Sequence, residues 1–395
     1  MSGAIQPGWT RWPRFEQDEL MAAQRVLESG RVNYLTGEEG RAFEAECATY
    51  LGSRHAVALS NGTVALELAY RALGVGPGDD VIVPARTFIA TASAVVAVGA
   101  RPVVADVDRD SGNITAETVA AAWTPDTKVV VVVHLGGWPA EMDDLQAVCA
   151  ERGAHLVEDC AQAHGATYRG RQVGTFGRIS TFSFCQDKIM TTAGEGGLVV
   201  TNDDDLARSM IMYKNNGTDP VLMAGAAESP AYKWIHADFG SNARMTEVQS
   251  AIGRRQLKKL PSWAAVRARN ADYLMDRFRQ IAGLRVPNPP AHVGPAWYKL
   301  HVYLDPSALR PGWDRDRVLQ GVKDRNAPCF GGSCPEIYRE PAFAARGWSL
   351  PDPLPVAAEL GRTSLMFQVD HTLDLDDMAY VADHVEAVMV EATES

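Results

Sequence analysis

Seven short apolar segments rich in β-branched residues punctuate the first half of the chain, and their order restricts the fold more than any other feature. They lie at 55–60, 80–84, 102–105, 128–134, 155–159, 179–184 and 197–201. Length and composition predict a strand at each. Helix-like stretches at 63–73, 88–98 and 142–152 separate the earlier ones. That alternation is expected of a wound, mostly parallel sheet. The last two segments break the rhythm, because residues 185–196 leave no room for a crossover helix between them. An antiparallel strand is therefore expected there.

A long helix predicted over 246–259, ending before Pro261, marks the exit from this unit. The expected division is a large domain at 1–255, with an N-terminal helical segment, and a smaller domain at 256–395 in which helices and strands alternate. Val286-Pro-Asn-Pro-Pro-Ala291 and Pro351-Asp-Pro-Leu-Pro355 read as solvent-facing connections within the latter.

With 395 residues and 46% hydrophobic content, the chain can bury a substantial core. Its formal charge of −11 argues against broad binding to nucleic acid or to an anionic membrane, so any phosphate site must be local. Six cysteines, none in a C-x-x-C pair, indicate reduced thiols and neither a zinc site nor a disulfide scaffold. No apolar run reaches the roughly 18 residues of a membrane span, and the N-terminus lacks an apolar signal core. A cytoplasmic enzyme is expected.

Three places carry candidate chemistry. At Ser60-Asn-Gly-Thr63 a strand gives way to a helix start, where free amides suit a phosphate and Gly62 permits close backbone approach. A plain helix cap would show the same residues. Asp159 ends the fifth apolar segment, where open α/β sheets put their ligands, while alternation turns Glu158 the other way. Lys188 lies in the loop 185–196, with Ser183 before it and Gly194-Glu-Gly-Gly197 after it. A lysine nitrogen attacks a carbonyl only when neutral, a form favoured by partial burial or a nearby cation. His134 and His164 sit among apolar residues and read as structural. No G-x-G-x-x-G follows the first strand, which disfavours a dinucleotide-dependent oxidoreductase.

Taken together, Ser60-Asn-Gly-Thr63, Pro84-Ala-Arg-Thr-Phe88-Ile-Ala-Thr-Ala92, Val157-Glu-Asp-Cys-Ala-Gln162-Ala-His-Gly-Ala166, Phe182-Ser-Phe184, Lys188 with Gly194-Glu-Gly-Gly197, and Asn242-Ala-Arg-Met-Thr-Glu-Val-Gln249 resemble the DegT/DnrJ/EryC1/StrS family of sugar aminotransferases. The resemblance implies an aspartate-aminotransferase-like fold (fold type I), α/β, with a large, mostly parallel seven-stranded sheet domain and a smaller C-terminal α+β domain. It implies pyridoxal 5'-phosphate as cofactor, held covalently by Lys188, with Asp159 on the pyridinium nitrogen and Gln162 near the phenolic oxygen. Phe88 would stack on the ring. Gly62, Thr63 and Ser183 would hold the phosphate, and Asn242 would reach the phosphate of a partner subunit in a homodimer with shared sites.

The implied reaction moves an amino group from L-glutamate or glutamine to a keto sugar linked to a nucleoside diphosphate. Phe330-Gly-Gly-Ser-Cys-Pro-Glu-Ile-Tyr338 and Ser364-Leu-Met-Phe367 resemble the nucleotide-sugar members, whereas the residues around Lys188 also resemble branches that aminate cyclitol ketones or form an aminobenzoate. A sugar dehydratase and a cofactor-binding regulator are the remaining alternatives. The family's deoxysugar dehydratases carry histidine where this chain keeps Lys188.

Overall fold

The computed structural model describes residues 12–227, 234–332 and 335–393. Residues 1–11 and, within the 330–338 segment, Ser333 and Cys334 lie outside the described residues.

All seven expected strands form: β1 (His55–Leu59), β2 (Asp80–Pro84), β3 (Arg101–Ala105), β4 (Thr127–Val133), β5 (His155–Asp159), β6 (Ile179–Ser183) and β7 (Gly197–Thr201). They build one sheet in the order β1-β7-β6-β5-β4-β2-β3. From β6 to β3 every pairing is parallel, while β7 runs antiparallel to both β1 and β6. The antiparallel strand is thus the one that follows the helix-free loop, as its length requires. Val129, Val130, Val131, Val132 and Val133 are all buried, as expected for a central strand covered on both faces.

The helices begin and end where local chemistry allows. Asn61 caps Gly62–Ala72 by accepting from the Val64 amide at 2.9 Å. Met142–Arg152 ends on Gly153, whose φ of 73° lies in the left-handed region.

The long helix departs from the sequence expectation. It spans Glu247–Phe278, and Pro261 sits inside it instead of ending it. A proline in a helix interior costs about 3 kcal/mol. Packing outweighs that cost, because residues on both sides of the proline are buried, among them Ile252, Leu257, Leu260, Ala271, Leu274 and Phe278. The helix packs against Gln17–Ser29, Glu39–Leu51 and Leu375–Thr393. A domain division near residue 255 falls within it. Around its C-terminal turns, a second core gathers Leu274, Phe278, Val318, Val322, Phe367, Val381 and Val385 with a small antiparallel sheet of Leu284–Arg285, Leu300–Leu304 and Ser364–Phe367.

β5 carries two adjacent carboxylates to opposite sides. Glu158 is fully buried. It accepts from the amides of Gly174, Phe176 and Gly177 at 2.6–2.7 Å and from the Ser180 hydroxyl at 3.0 Å. The Ala140 amide donates to Nδ1 of His134, so Nε2 donates to Glu158, 3.2 Å away. Burial alone would raise the Glu158 pKa, but the hydrogen bonds from His134, Gly177 and Gly174 outweigh it, and the net shift is downward. A carboxylate with a lowered folded-state pKa stabilises the fold above its unfolded pKa, here near 4.3, and loses that contribution as pH falls through the folded value. Glu158→Gln should cost about 2–4 kcal/mol in urea unfolding at pH 7, with the difference from wild type shrinking in acid below about pH 4. Equal stability at pH 7 would show that this network is not a folding anchor.

Candidate active site

The parallel strands end along one edge of the sheet, and the segments that follow them line a cavity of about 780 Å³. Asn61, Gly62 and Thr63 enter after β1, Thr87, Phe88 and Thr91 after β2, and Asp159, Ala161 and Gln162 from β5 and its turn. Ser183, Cys185, Asp187, Lys188 and Glu195 come from the end of β6 and its loop, and Tyr298 and Lys299 from the C-terminal part of the chain.

Close backbone approach makes one wall. A Cβ on Gly62 would stand 2.7 Å from the Ser183 Cβ, and one on Gly197 would stand 2.2 Å from the Asn61 carbonyl oxygen. Any side chain at either position would push apart the helix start and the β6–β7 hairpin. Asn61 satisfies the Val64 amide, so the Gly62 and Thr63 amides remain the helix-start donors beside the Ser183 hydroxyl. A phosphate fits such a cradle.

Asp159 is only 6% exposed. Its carboxylate accepts from the Ala161 amide at 3.0 Å and from the Thr91 hydroxyl at 3.2 Å. Burial pushes its pKa up, against the opposing pull of those two donors, Lys188 and His134. A protonated ring nitrogen placed against it would bring the pKa back down, so the site suits a cationic heterocycle. Gln162 accepts from the Gly136 amide through Oε1 at 2.7 Å, which leaves its NH₂ to donate to a ligand oxygen. Phe88 is 66% exposed yet lines the cavity, so it is no core residue and offers a ring face to a planar ligand.

Lys188 has a side chain only 15% exposed. Its Nζ stands 3.8 Å from Asp187 Oδ1 and 5.0 Å from the centroid of the Tyr298 ring. Its own backbone is tied down: the amide donates to the Cys185 carbonyl at 3.0 Å, and the Lys188 carbonyl accepts from the Trp12 indole at 2.8 Å. Buried Thr191 and Thr192 close the rest of the loop through bonds to Phe184 and Glu195 carbonyls. A lysine amine, a buried carboxylate, a ring-stacking face and an anion cradle share one cavity, and together they fit pyridoxal 5'-phosphate.

Seven of the eight site residues expected from the sequence, Gly62, Thr63, Phe88, Asp159, Gln162, Ser183 and Lys188, line this cavity. The eighth, Asn242, does not; it is exposed and forms a bridge with Asn215. Of the two histidines, His134 makes structural hydrogen bonds, while His164 packs against the Phe182 and Phe184 rings and is held neutral, its pKa lowered to about 3 by burial and then by Lys188 and Arg267. Neither lines the cavity.

Sequence reasoning missed Asp187, Tyr298 and Lys299. The Tyr298 hydroxyl donates to Asp187 Oδ2 at 2.6 Å, joining the C-terminal part of the chain to the lysine loop. One signal for this was present: Gly136-Gly137 follows β4 at the ligand edge, with φ of 66° and 85°. A Cβ on Gly137 would stand 2.9 Å from the Tyr298 amide nitrogen, and the carbonyls of this pair accept from the amides of Ala296 and Lys299. A tight glycine turn at that edge marks the approach of another segment.

Comparison with known proteins places the chain among aminotransferases. The family model for the DegT/DnrJ/EryC1/StrS aminotransferase family matches residues 13–386. The dTDP-3-amino-3,4,6-trideoxy-alpha-D-glucose transaminase of Streptomyces venezuelae is 37% identical, covering 86% of this chain and 87% of its own. An L-glutamine:2-deoxy-scyllo-inosose aminotransferase of Streptomyces kanamyceticus is 36% identical over 96% and 92% of the two chains. Among solved structures, an aminotransferase from Psychrobacter cryohalolentis superposes with a TM-score of 0.95 at 46% identity, covering 97% of this chain and 99% of that one. The chain belongs to the DegT/DnrJ/EryC1/StrS aminotransferase family and is an aminotransferase of fold type I.

Proposed function

We propose that this enzyme transfers an amino group from L-glutamate, or from L-glutamine in its place, to a keto sugar carried on a nucleoside diphosphate, in amino-sugar biosynthesis. The observation that carries the reading is the shared cavity of Lys188, Asp159 and the Gly62–Ser183 cradle. When bound, pyridoxal 5'-phosphate supplies an aldehyde that bonds amines and an electron sink for the carbanion formed beside them.

The chain's own groups divide the remaining work. Lys188 would hold the cofactor and take the proton from the donor's α-carbon. Asp159 keeps a proton on the ring nitrogen. Gln162 donates to the phenolic oxygen, Phe88 stacks on the ring, and Gly62, Thr63 and Ser183 bind the phosphate.

A homodimer in which Asn242 completes the phosphate site of the partner subunit explains why that residue lies outside its own cavity. The same stretch of chain carries the exposed Val221, Leu222, Met223, Trp234 and Phe239, a run of apolar side chains that a second copy would cover. No described helix is long and apolar enough to cross a membrane.

A keto cyclitol is the second acceptor to consider, because the cyclitol aminotransferase above matches over nearly the full chain. Lys188 itself favours transamination over sugar dehydration.

Adding L-glutamate to the yellow holoenzyme should bleach the cofactor band and release 2-oxoglutarate, with L-glutamine tried in parallel. Indifference to both would end the aminotransferase assignment. The amino form should then aminate one member of a panel of keto sugars and keto cyclitols, identified by product mass. Lys188→Ala should lower kcat by about 10³-fold or more. Asp159→Asn should keep the cofactor bound and slow the proton step by about 100-fold, visible in single-turnover kinetics; wild-type rates would remove Asp159 from the chemistry.

A further inference from the structure

The cavity holds a second lysine that neither the cofactor cradle nor the proton step uses. Lys299 Nζ lies 5.0 Å from the centroid of the same Tyr298 ring that Lys188 Nζ approaches to 5.0 Å. The two nitrogens are therefore no more than about 10 Å apart, with one ring against both. Among the described residues, Lys188 and Lys299 are the only cationic side chains lining the cavity, beside the carboxylates of Asp159, Asp187 and Glu195.

Lys299 also lacks what other enclosed lysines here possess. Lys214 pairs with Glu44, and Lys259 meets three carboxylates. Among the described residues no carboxylate lies within ion-pairing distance of Lys299 Nζ. An unpaired ammonium in a half-enclosed pocket is costly to maintain and gains most from an incoming anion. Burial, followed by repulsion from Arg267 and Lys188, pushes its pKa down to about 8, against the pull of Asp370 and Asp187. Its backbone is fixed by the bond from its amide to the Gly136 carbonyl, 3.3 Å away.

We propose that Lys299 is a specificity-determining residue that takes the α-carboxylate of the amino-acid donor. The inference rests on the aminotransferase reading above. Any amino-acid donor, glutamate or glutamine, brings an α-carboxylate one bond from the reacting carbon, into a pocket whose acidic side chains would repel it. Once Lys188 is engaged with the cofactor, Lys299 is, among the described residues of this chain, the remaining cationic side chain lining the cavity that can offset that repulsion with a charge-assisted hydrogen bond.

The test titrates holoenzyme with 2-methyl-L-glutamate, which lacks the α-proton and so cannot pass on its amine, and with 4-aminobutyrate, which lacks the α-carboxylate. The change in the cofactor spectrum reports binding. Wild type should prefer 2-methyl-L-glutamate by about tenfold or more. Lys299→Met should erase that preference and Lys299→Arg should retain it; Lys299→Gln replaces the methionine variant should that one fail to load cofactor. For L-glutamate, the loss should appear mainly in KM and much less in kcat.

A preference kept within twofold in Lys299→Met overturns the assignment. So does a variant with normal donor binding and a raised KM for the keto acceptor, since the anion recognised would then belong to the acceptor. A wild-type enzyme that responds to no amino acid defeats the transamination reading itself, whereas a responsive wild type with an unaltered variant defeats only the role of Lys299.

Discussion

Everything at this site depends on the alternation of side chains along one strand. β5 ends in Glu158-Asp159, and the pleat sends these two carboxylates in opposite directions. Glu158 gathers three amides, a hydroxyl and an imidazole on its side and fixes the strand end. Asp159, on the other side, keeps only the Ala161 and Thr91 donors among the described residues and stays available to a ligand. A slip of one residue would exchange the anchored carboxylate with the reactive one. The long parallel pairing of β4 with β5, from Val129 opposite His155 to Val133 opposite Asp159, holds that register.

From this fixed point the cavity is assembled by close backbone contacts between distant parts of the chain. Gly62 meets Ser183, Gly197 meets Asn61, and Gly137 meets the backbone at Trp297 and Tyr298. Each contact requires a residue without a side chain, and each brings one functional group within reach of the others. The result is a pocket in which two lysines and the amides of a helix start stand beside three carboxylates, in a protein of net charge −11. Attraction for phosphate and carboxylate must therefore come from individual groups placed at the right points of the cavity, where enclosure makes each charge count for more.

Much of this could be read from the residues alone, for physical reasons. The strands of the sheet are buried, so their β-branched runs stand out, and the short link 185–196 dictates the antiparallel β7. The β5 carboxylates obey a period of two that needs no tertiary information. Lys188 became legible through its neighbours, the Ser183 hydroxyl and the Gly194-Glu-Gly-Gly197 turn. What stayed hidden depends on long-range packing. Pro261 reads locally as a helix end, but burial on both sides carries the helix through it. Tyr298 and Lys299 are separated from Asp187 by more than a hundred positions, and no spacing rule announces the hydrogen bond at 2.6 Å that joins the two segments. Asn242 carries no local sign of its use, because the group it is proposed to bind belongs to another subunit.

The central claim is that the nitrogen of Lys188, and not the neighbouring amine of Lys299, holds the cofactor. It is tested most directly by reducing the holoenzyme with borohydride, digesting it, and locating the pyridoxyl group by mass spectrometry. The added mass should appear on the peptide that contains Lys188. Label on Lys299, or on no lysine of the cavity, would contradict it.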